Sequence, residues 1–448
     1  MKSIKYILAS LAVVLVAASC VKDLDVTPID PNKNTADKAF SSAEDFNALL
    51  AGIYTGYATS GYYGPDGDPS ISGLDGGMSQ YIRGLFHLCE LSTDVYVCGW
   101  NDEGVPDVCK MQWDANTGLI YSIYSRIFFQ IAQCNEFIRQ AEATSITLPK
   151  KDEWIAEARA LRALSYYHAI DNFGNVPFAD ETSVVGQIPE RITRTDLYAW
   201  LETELTDIIN NSALADRSAT EYGRINKTAA KMVLAKLYLN AGVYTGTAQW
   251  DKCASVLKDI MDDGYSLHTT SSGGIYSPYQ ELFLADNDRC TDEIIFAVEQ
   301  DGVNTTSYGA TNYLIFASTG GEMDPDEMGI SSGWGGLRTT PEFYAKFSSG
   351  DARNLFYTAT QQENIDDIGE FSNGYAFMKF RNRTSDGGYG KEKGFVDTDF
   401  PMMRYADVLL MAAECQLNGA SIDGLGALNQ VRARAGLSPV SALSSQAI

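Results

Sequence analysis

RINKTAAKMVLAKLYLNAGVYTGTAQWDKCASVLKDIMDDG, residues 224–264, reads as two helices joined by a short loop. Asn226 is suited to cap the first, because its side chain can accept from a first-turn amide that the helix leaves unpaired. That helix is expected to run to Ala241 and close at Gly242. The second is expected over 249–263, with Gly264 just past its end. Small residues (Ala229, Ala235, Ala254) stand where the two would touch.

The same period of three and four extends outward from this pair. Residues 118–142 carry Leu119, Ile123, Ile127, Ile131, Cys134, Ile138 and Ala141 on one face. Residues 152–172 follow, with Ile155, Ala158, Leu161 and Leu164, and Gly174 and Pro177 stop that helix. Residues 196–210 repeat the pattern, and helices return at 401–417 and about 424–435. Pro401 fits the first position of the former. Paired helices with small contact residues are like tetratricopeptide units, although the full repeat signature is absent. The chain therefore reads as mainly α, with tetratricopeptide-like helix pairs in a superhelical scaffold.

Two stretches break the pattern. Residues 61–117 and 265–399 are rich in Gly, Ser, Asp and Tyr. They hold one clear strand, EIIFAVE (293–299), and a second candidate, YAFMKFR (375–381). Loops this long in a folded domain are commonly functional.

Residues 1–19 read as a signal peptide: Lys2 and Lys5, then an apolar run over 6–18. That run falls short of the roughly 20 residues that span a bilayer. It ends VLVAASC, and a small residue immediately before a cysteine is what lipoprotein processing requires. Cys20 would become the acylated first residue, anchoring the protein to a membrane. Residues 20–35 would be a flexible tether, polar and interrupted by Pro28 and Pro31.

Composition excludes several classes. The net charge is −24 with no basic run, which argues against nucleic acid as a partner. Seven cysteines remain after Cys20, none in C-x-x-C spacing, and Cys89, Cys98 and Cys109 lie close enough to pair. Three histidines and no H-E-x-x-H, G-x-S-x-G, Walker A or G-x-G-x-x-G leave no sign of a metal centre or cofactor and remove the usual signatures of nucleotide and zinc-protease chemistry; carboxylate chemistry stays open, since 58 Asp and Glu always offer candidate pairs.

Four segments together resemble the SusD/RagB family of outer-membrane nutrient-binding lipoproteins. They are AEARALRALSYYHAIDNFGNVPF (156–178), RINKTAAKMVLAKLYLNAG (224–242), SSGWGGLRTTPEFYAKF (331–347), and FPMMRYADVLLMAAECQLNG with ALNQVRARAGL (400–437). The resemblance implies one SusD-like domain over 36–448. Its right-handed superhelical scaffold would lie at about 36–60, 118–264 and 400–437, and its ligand-binding part at about 61–117 and 265–399. It implies a surface-exposed protein, lipid-anchored in the outer membrane and not an enzyme. Such a protein captures oligosaccharides or polysaccharides and hands them to a SusC-like TonB-dependent transporter barrel. Relatives continue for tens of residues beyond RARAGL, so a C-terminal truncation is expected.

A sugar offers an apolar C–H face and a rim of hydroxyls, so its site needs flat aromatics and planar polar groups. By likeness to the family's starch-binding members, Asp75, Arg83, Trp100 and Asn101 fall at ligand-contacting places, with Tyr81 beside them. The 308–334 stretch adds Tyr308, Tyr313 and Trp334. Trp334 sits in GWGG and is open between ligand contact and a structural role; Arg83 is open between ligand contact and a nearby carboxylate. Arg159 and Arg162 read as structural ion pairs. Two other functions remain: a peptide-binding member of the same transport system, and a surface glycosidase, for which no carboxylate pair is nominated.

Overall fold

The computed structural model describes residues 39–448, so the expected signal peptide, Cys20 and tether lie outside the described residues. In chain order the elements are α1 (Ala43–Thr55), α2 (Tyr81–Cys89), β1 (Tyr96–Cys98), α3 (Val105–Cys109), α4 (Gly118–Ala143), α5 (Lys151–Phe173), β2 (Val176–Pro177), β3 (Arg191–Ile192) and α6 (Arg194–Asn211). Then come α7 (Lys227–Leu239), α8 (Ala241–Thr245), α9 (Trp250–Met261), α10 (Pro278–Glu281), β4 (Ile294–Val298), α11 (Ala310–Ala317), β5 (Leu337–Thr339) and α12 (Pro341–Tyr344). The chain closes with β6 (Phe356–Tyr357), β7 (Ala376–Phe377), β8 (Phe400–Arg404), α13 (Tyr405–Leu417) and α14 (Gly424–Arg434).

The scaffold is the stacked series foreseen from the periodicity. Helices α4, α5, α6, α7, α9, α13 and α14 each pack against the next. Asn226 caps α7, its Oδ1 accepting from the Ala229 amide at 3.0 Å. Helix α7 stops at Leu239, short of Ala241, and Gly242 lies inside the extra helix α8, which Gly246 ends at φ +79°. Gly264 (φ +86°) and Gly436 (φ +75°) stand past α9 and α14 in the left-handed conformation that glycine adopts without a Cβ penalty. Ile123, Ile127 and Cys134 of α4 join Leu161 and Leu164 of α5 and Ala229 and Ala235 of α7 in one core.

Arg159 and Arg162 are structural, as expected. Arg159 reaches Glu204 at 2.7 Å and Asp207 at 2.8 Å across the α5–α6 seam. Arg162 is buried and pairs with Glu204 at 2.9 Å and with Glu181, while donating to Asn135 Oδ1 at 2.8 Å. Paired this way, the buried charges offset much of their desolvation cost.

Three expectations are corrected. Pro401 does not begin a helix: residues 400–404 form β8, antiparallel to β4, and α13 starts at Tyr405. Pro401 falls at the register shift between the Phe296 and Val298 pairings, in a two-strand sheet whose open edges tolerate a missing donor. The strand expected over 375–381 shrinks to β7, paired with β6. Cys89, Cys98 and Cys109 form no disulfide; all seven described cysteines are free, and Cys415 is a buried small hydrophobe.

The regions read as loops also hold two helices of the interior, α2, buried along one face, and α11. Helix α2 packs on α4, and every residue of α11 is buried. Helix α11, buried on all sides, leaves no amphipathic signature, and α2, nine residues long, is too short for a periodicity reading.

Candidate functional site

Antiparallel pairing of β1 with β5 builds the centre of the site. Cys98 stands opposite Leu337, and the Gly99 amide donates to Gly336 O at 3.1 Å. Trp100 is thereby laid against Gly336, where an added Cβ would lie 2.3 Å from the indole Cε2. No larger residue than glycine leaves room for that ring.

The GWGG segment is held by the C-terminal end of α11. Amides of Trp334, Gly335 and Gly336 donate to Phe316 O, Thr319 O and Ala317 O, each at 2.8 Å. They satisfy carbonyls that a helix end leaves unpaired. A Cβ on Gly333 would meet Thr319 O at 2.1 Å, and Gly335 holds φ +62°. The glycines are thus structural, and their effect is to seat Trp334 beside Trp100 with ring centres 6.3 Å apart.

Tyr308 completes the aromatic set. Its ring meets Trp334 edge-on at 5.6 Å and stacks on Phe395 at 5.7 Å and 27°. Two residues on, Ala310 carries φ +46°, a left-handed strain rare outside glycine. Trp100, Tyr308, Trp334 and Phe395 are all partly exposed. Asp75, Asn101, Asp102 and Asp66 are exposed around them; at Gly77 an added Cβ would lie 2.8 Å from Asp66 Oδ1, 3.4 Å from Asp75 Oδ1 and 3.8 Å from the Tyr308 ring. A cleft of about 340 Å³ adjoins, lined by Leu74, Asp75, Met78, Asp102, Glu103, Leu119 and Tyr121.

Three of the residues expected to touch ligand serve beneath the surface instead. Tyr81 is fully buried on α2, its hydroxyl 2.9 Å from His168 Nδ1. Tyr313 is fully buried on α11, 3.1 Å from His87 Nε2. Arg83 is also buried: Nη1 donates to Gly77 O at 2.9 Å and Tyr308 O at 3.3 Å, and the guanidinium lies 4.5 Å from the Tyr313 ring centre and 5.9 Å from that of Trp100. Burial draws its pKa down, with Tyr313, Asp102 and Asp75 among the opposing influences. Arg83 therefore ties the Asp75 loop, Tyr308 and Trp100 together. The reading that pairs it with a carboxylate is replaced by carbonyls.

The sequence reading missed Phe395, Asp66 and Gly336. Phe395 and Asp66 stand in loops with no periodic signal, and Gly336 belongs to a motif already quoted whose partner, Trp100, lies over 230 residues away. No group of three potential metal ligands occurs among the described residues.

A fold of stacked helix pairs carrying an aromatic cluster on its loop-rich side defines the class. Residues 349–446 match the model of the SusD family. The chain is 29% identical to the starch-binding protein SusD of Bacteroides thetaiotaomicron, over 93% of this chain and 81% of that protein. Its fold is similar to surface glycan-binding protein A from Bacteroides uniformis, with a TM-score of 0.68 at 20% identity, covering 90% of this chain and 83% of that one. It is likewise similar to surface glycan-binding protein A from Bacteroides thetaiotaomicron in complex with laminarihexaose, at a TM-score of 0.66, 17% identity, and 90% and 85% coverage. In sequence and in fold this chain is SusD-like, as the four quoted segments implied.

Proposed function

We propose that this protein captures glycans at the cell surface and does no chemistry on them. The observation that carries the reading is the partly exposed aromatic set Trp100, Tyr308, Trp334 and Phe395, rimmed by Asp75 and Asn101. Flat rings take the C–H face of a sugar, and the carboxylate and amide bond its hydroxyls. Tyr81, Arg83 and Tyr313 position that set from below. The SusD-like sequence and the glycan-binding names of the relatives support the same reading. Acylation at Cys20 would hold the protein on the outer membrane, beside a TonB-dependent transporter that takes the captured glycan. No described helix is long and apolar enough to cross a membrane.

The test is binding of the protein to a polysaccharide panel with product analysis on the same samples. Binding without cleavage is expected. Trp100→Ala should weaken it by about 1–3 kcal/mol, as truncation of an aromatic anchor does. Release of shorter products by the purified protein would refute the capture role. Labelled palmitate incorporated by the wild type and lost in Cys20→Ala tests the anchor, and co-purification of a transporter barrel tests the partner.

A further inference from the structure

The charge of the site's surroundings bears on which glycan it takes. Four carboxylates lie around the site: Asp66 and Asp75 at Gly77 beside the Tyr308 ring, and Asp75, Asp102 and Glu103 along the adjoining cleft. All four are exposed, and none is in an ion pair among the described residues.

The cations of the neighbourhood are spent elsewhere. Arg83 is buried, and its Nη1 faces two backbone carbonyls. Arg338, fully buried beside Gly99, donates to the carbonyls of Asn373, Gly336, Ile368 and Glu370. On the Phe395 side, Lys391 pairs with Asp301 at 2.6 Å and Lys393 with Asp326 at 2.5 Å. Lys110 closes the far end of α3 from Gly104. A carboxylate or sulfate on a sugar is recognised by forked or clustered cations. Among the described residues, none of these cations offers the aromatic set an unpaired fork or cluster, and like charges at short range repel.

Resting on the capture reading above, the geometry points to an uncharged glycan as the ligand, with uronic-acid and sulfated polymers excluded by the Asp66, Asp75, Asp102 and Glu103 wall. Its sugar faces stack on Trp100, Tyr308 and Trp334. The cleft beside Asp75, floored by Leu74, Met78 and Leu119 and edged by Tyr121, extends the same surface.

The experiment is affinity electrophoresis and calorimetry of the full chain with neutral α- and β-glucans, polygalacturonate and a sulfated galactan, at low and high NaCl. A neutral polymer should bind with its affinity within about two-fold across the salt range, since no ion pair forms. The two anionic polymers should bind at least about ten-fold more weakly, and the double variant Asp102→Asn/Glu103→Gln should raise the anionic-to-neutral affinity ratio by about five- to ten-fold. Anionic binding as tight as neutral, or an unmoved ratio in the double variant, overturns the exclusion and leaves glycan capture standing. Binding of neither kind overturns the capture reading, and this inference with it.

Discussion

Gly336→Ala tests whether Trp100 is a seated binding platform. The added methyl would lie 2.3 Å from Cε2, 2.6 Å from Cζ2 and 2.6 Å from Nε1 of the indole. Real Cβ contacts do not fall below about 3.0 Å, so the ring must swing away by the better part of an ångström. It is the ring that yields, because Gly336 is bonded on both sides, its amide to Ala317 O at 2.8 Å and its carbonyl to the Gly99 amide at 3.1 Å. The displaced indole loses its alignment with Trp334 and with the buried Tyr313 ring, 6.3 and 6.0 Å away. Glycan affinity should then fall by about 1–3 kcal/mol, or roughly five- to 150-fold. Overpacking should cost about 1–3 kcal/mol of stability as well. Calorimetric titration reads the first and urea unfolding the second. Gly350→Ala, whose Cβ meets nothing within 4 Å, serves as the control. Unchanged affinity in Gly336→Ala, with the stability loss present, would show that the indole moved and that its position does not matter for binding.

Two further predictions concern the scaffold. Arg162→Met removes the buried partner of Glu181, Glu204 and Asn135 at the α5–α6 seam, and should lower stability by about 3 kcal/mol in urea at unchanged m-value, without altering glycan affinity in the surviving folded protein. Burial raises the Asp399 carboxyl to about 7, although it accepts from the Gln300 amide at 2.7 Å and the Tyr222 hydroxyl at 2.9 Å. An unfolded Asp titrates near about 4. Between these values only the native state holds the proton, so this group's contribution falls as pH rises from about 4 to about 7. Asp399→Asn should flatten that part of the stability–pH profile, and an unaltered slope would remove Asp399 as its source.

Much of the scaffold was legible because each of its helices has one buried face and a marked end. Helices α4, α5 and α6 carry their apolar residues at helical spacing, and Asn226, Gly264 and Gly436 mark ends that the structure keeps. Trp100, Tyr308 and Trp334, each flagged in the sequence, come together from separate segments. Which of the flagged residues face outward was not legible. Tyr81, Arg83 and Tyr313 lie in stretches of loop-like composition, yet they sit on the buried face of α2 and on α11, which is buried on every side.

The amino-acid sequence by itself determined the stacked helices, because local propensity, apolar spacing and capping act within a few residues of one another. Only the tertiary structure decided that Gly336 seats Trp100, that Phe395 backs Tyr308, and that Arg83 spends its charge on carbonyls. Gly336 and Trp100, over 230 positions apart, meet through the β1–β5 pairing and the end of α11, and Arg83 reaches Tyr308 across 225 positions. No local pattern encodes a contact that exists only once both strands are in register.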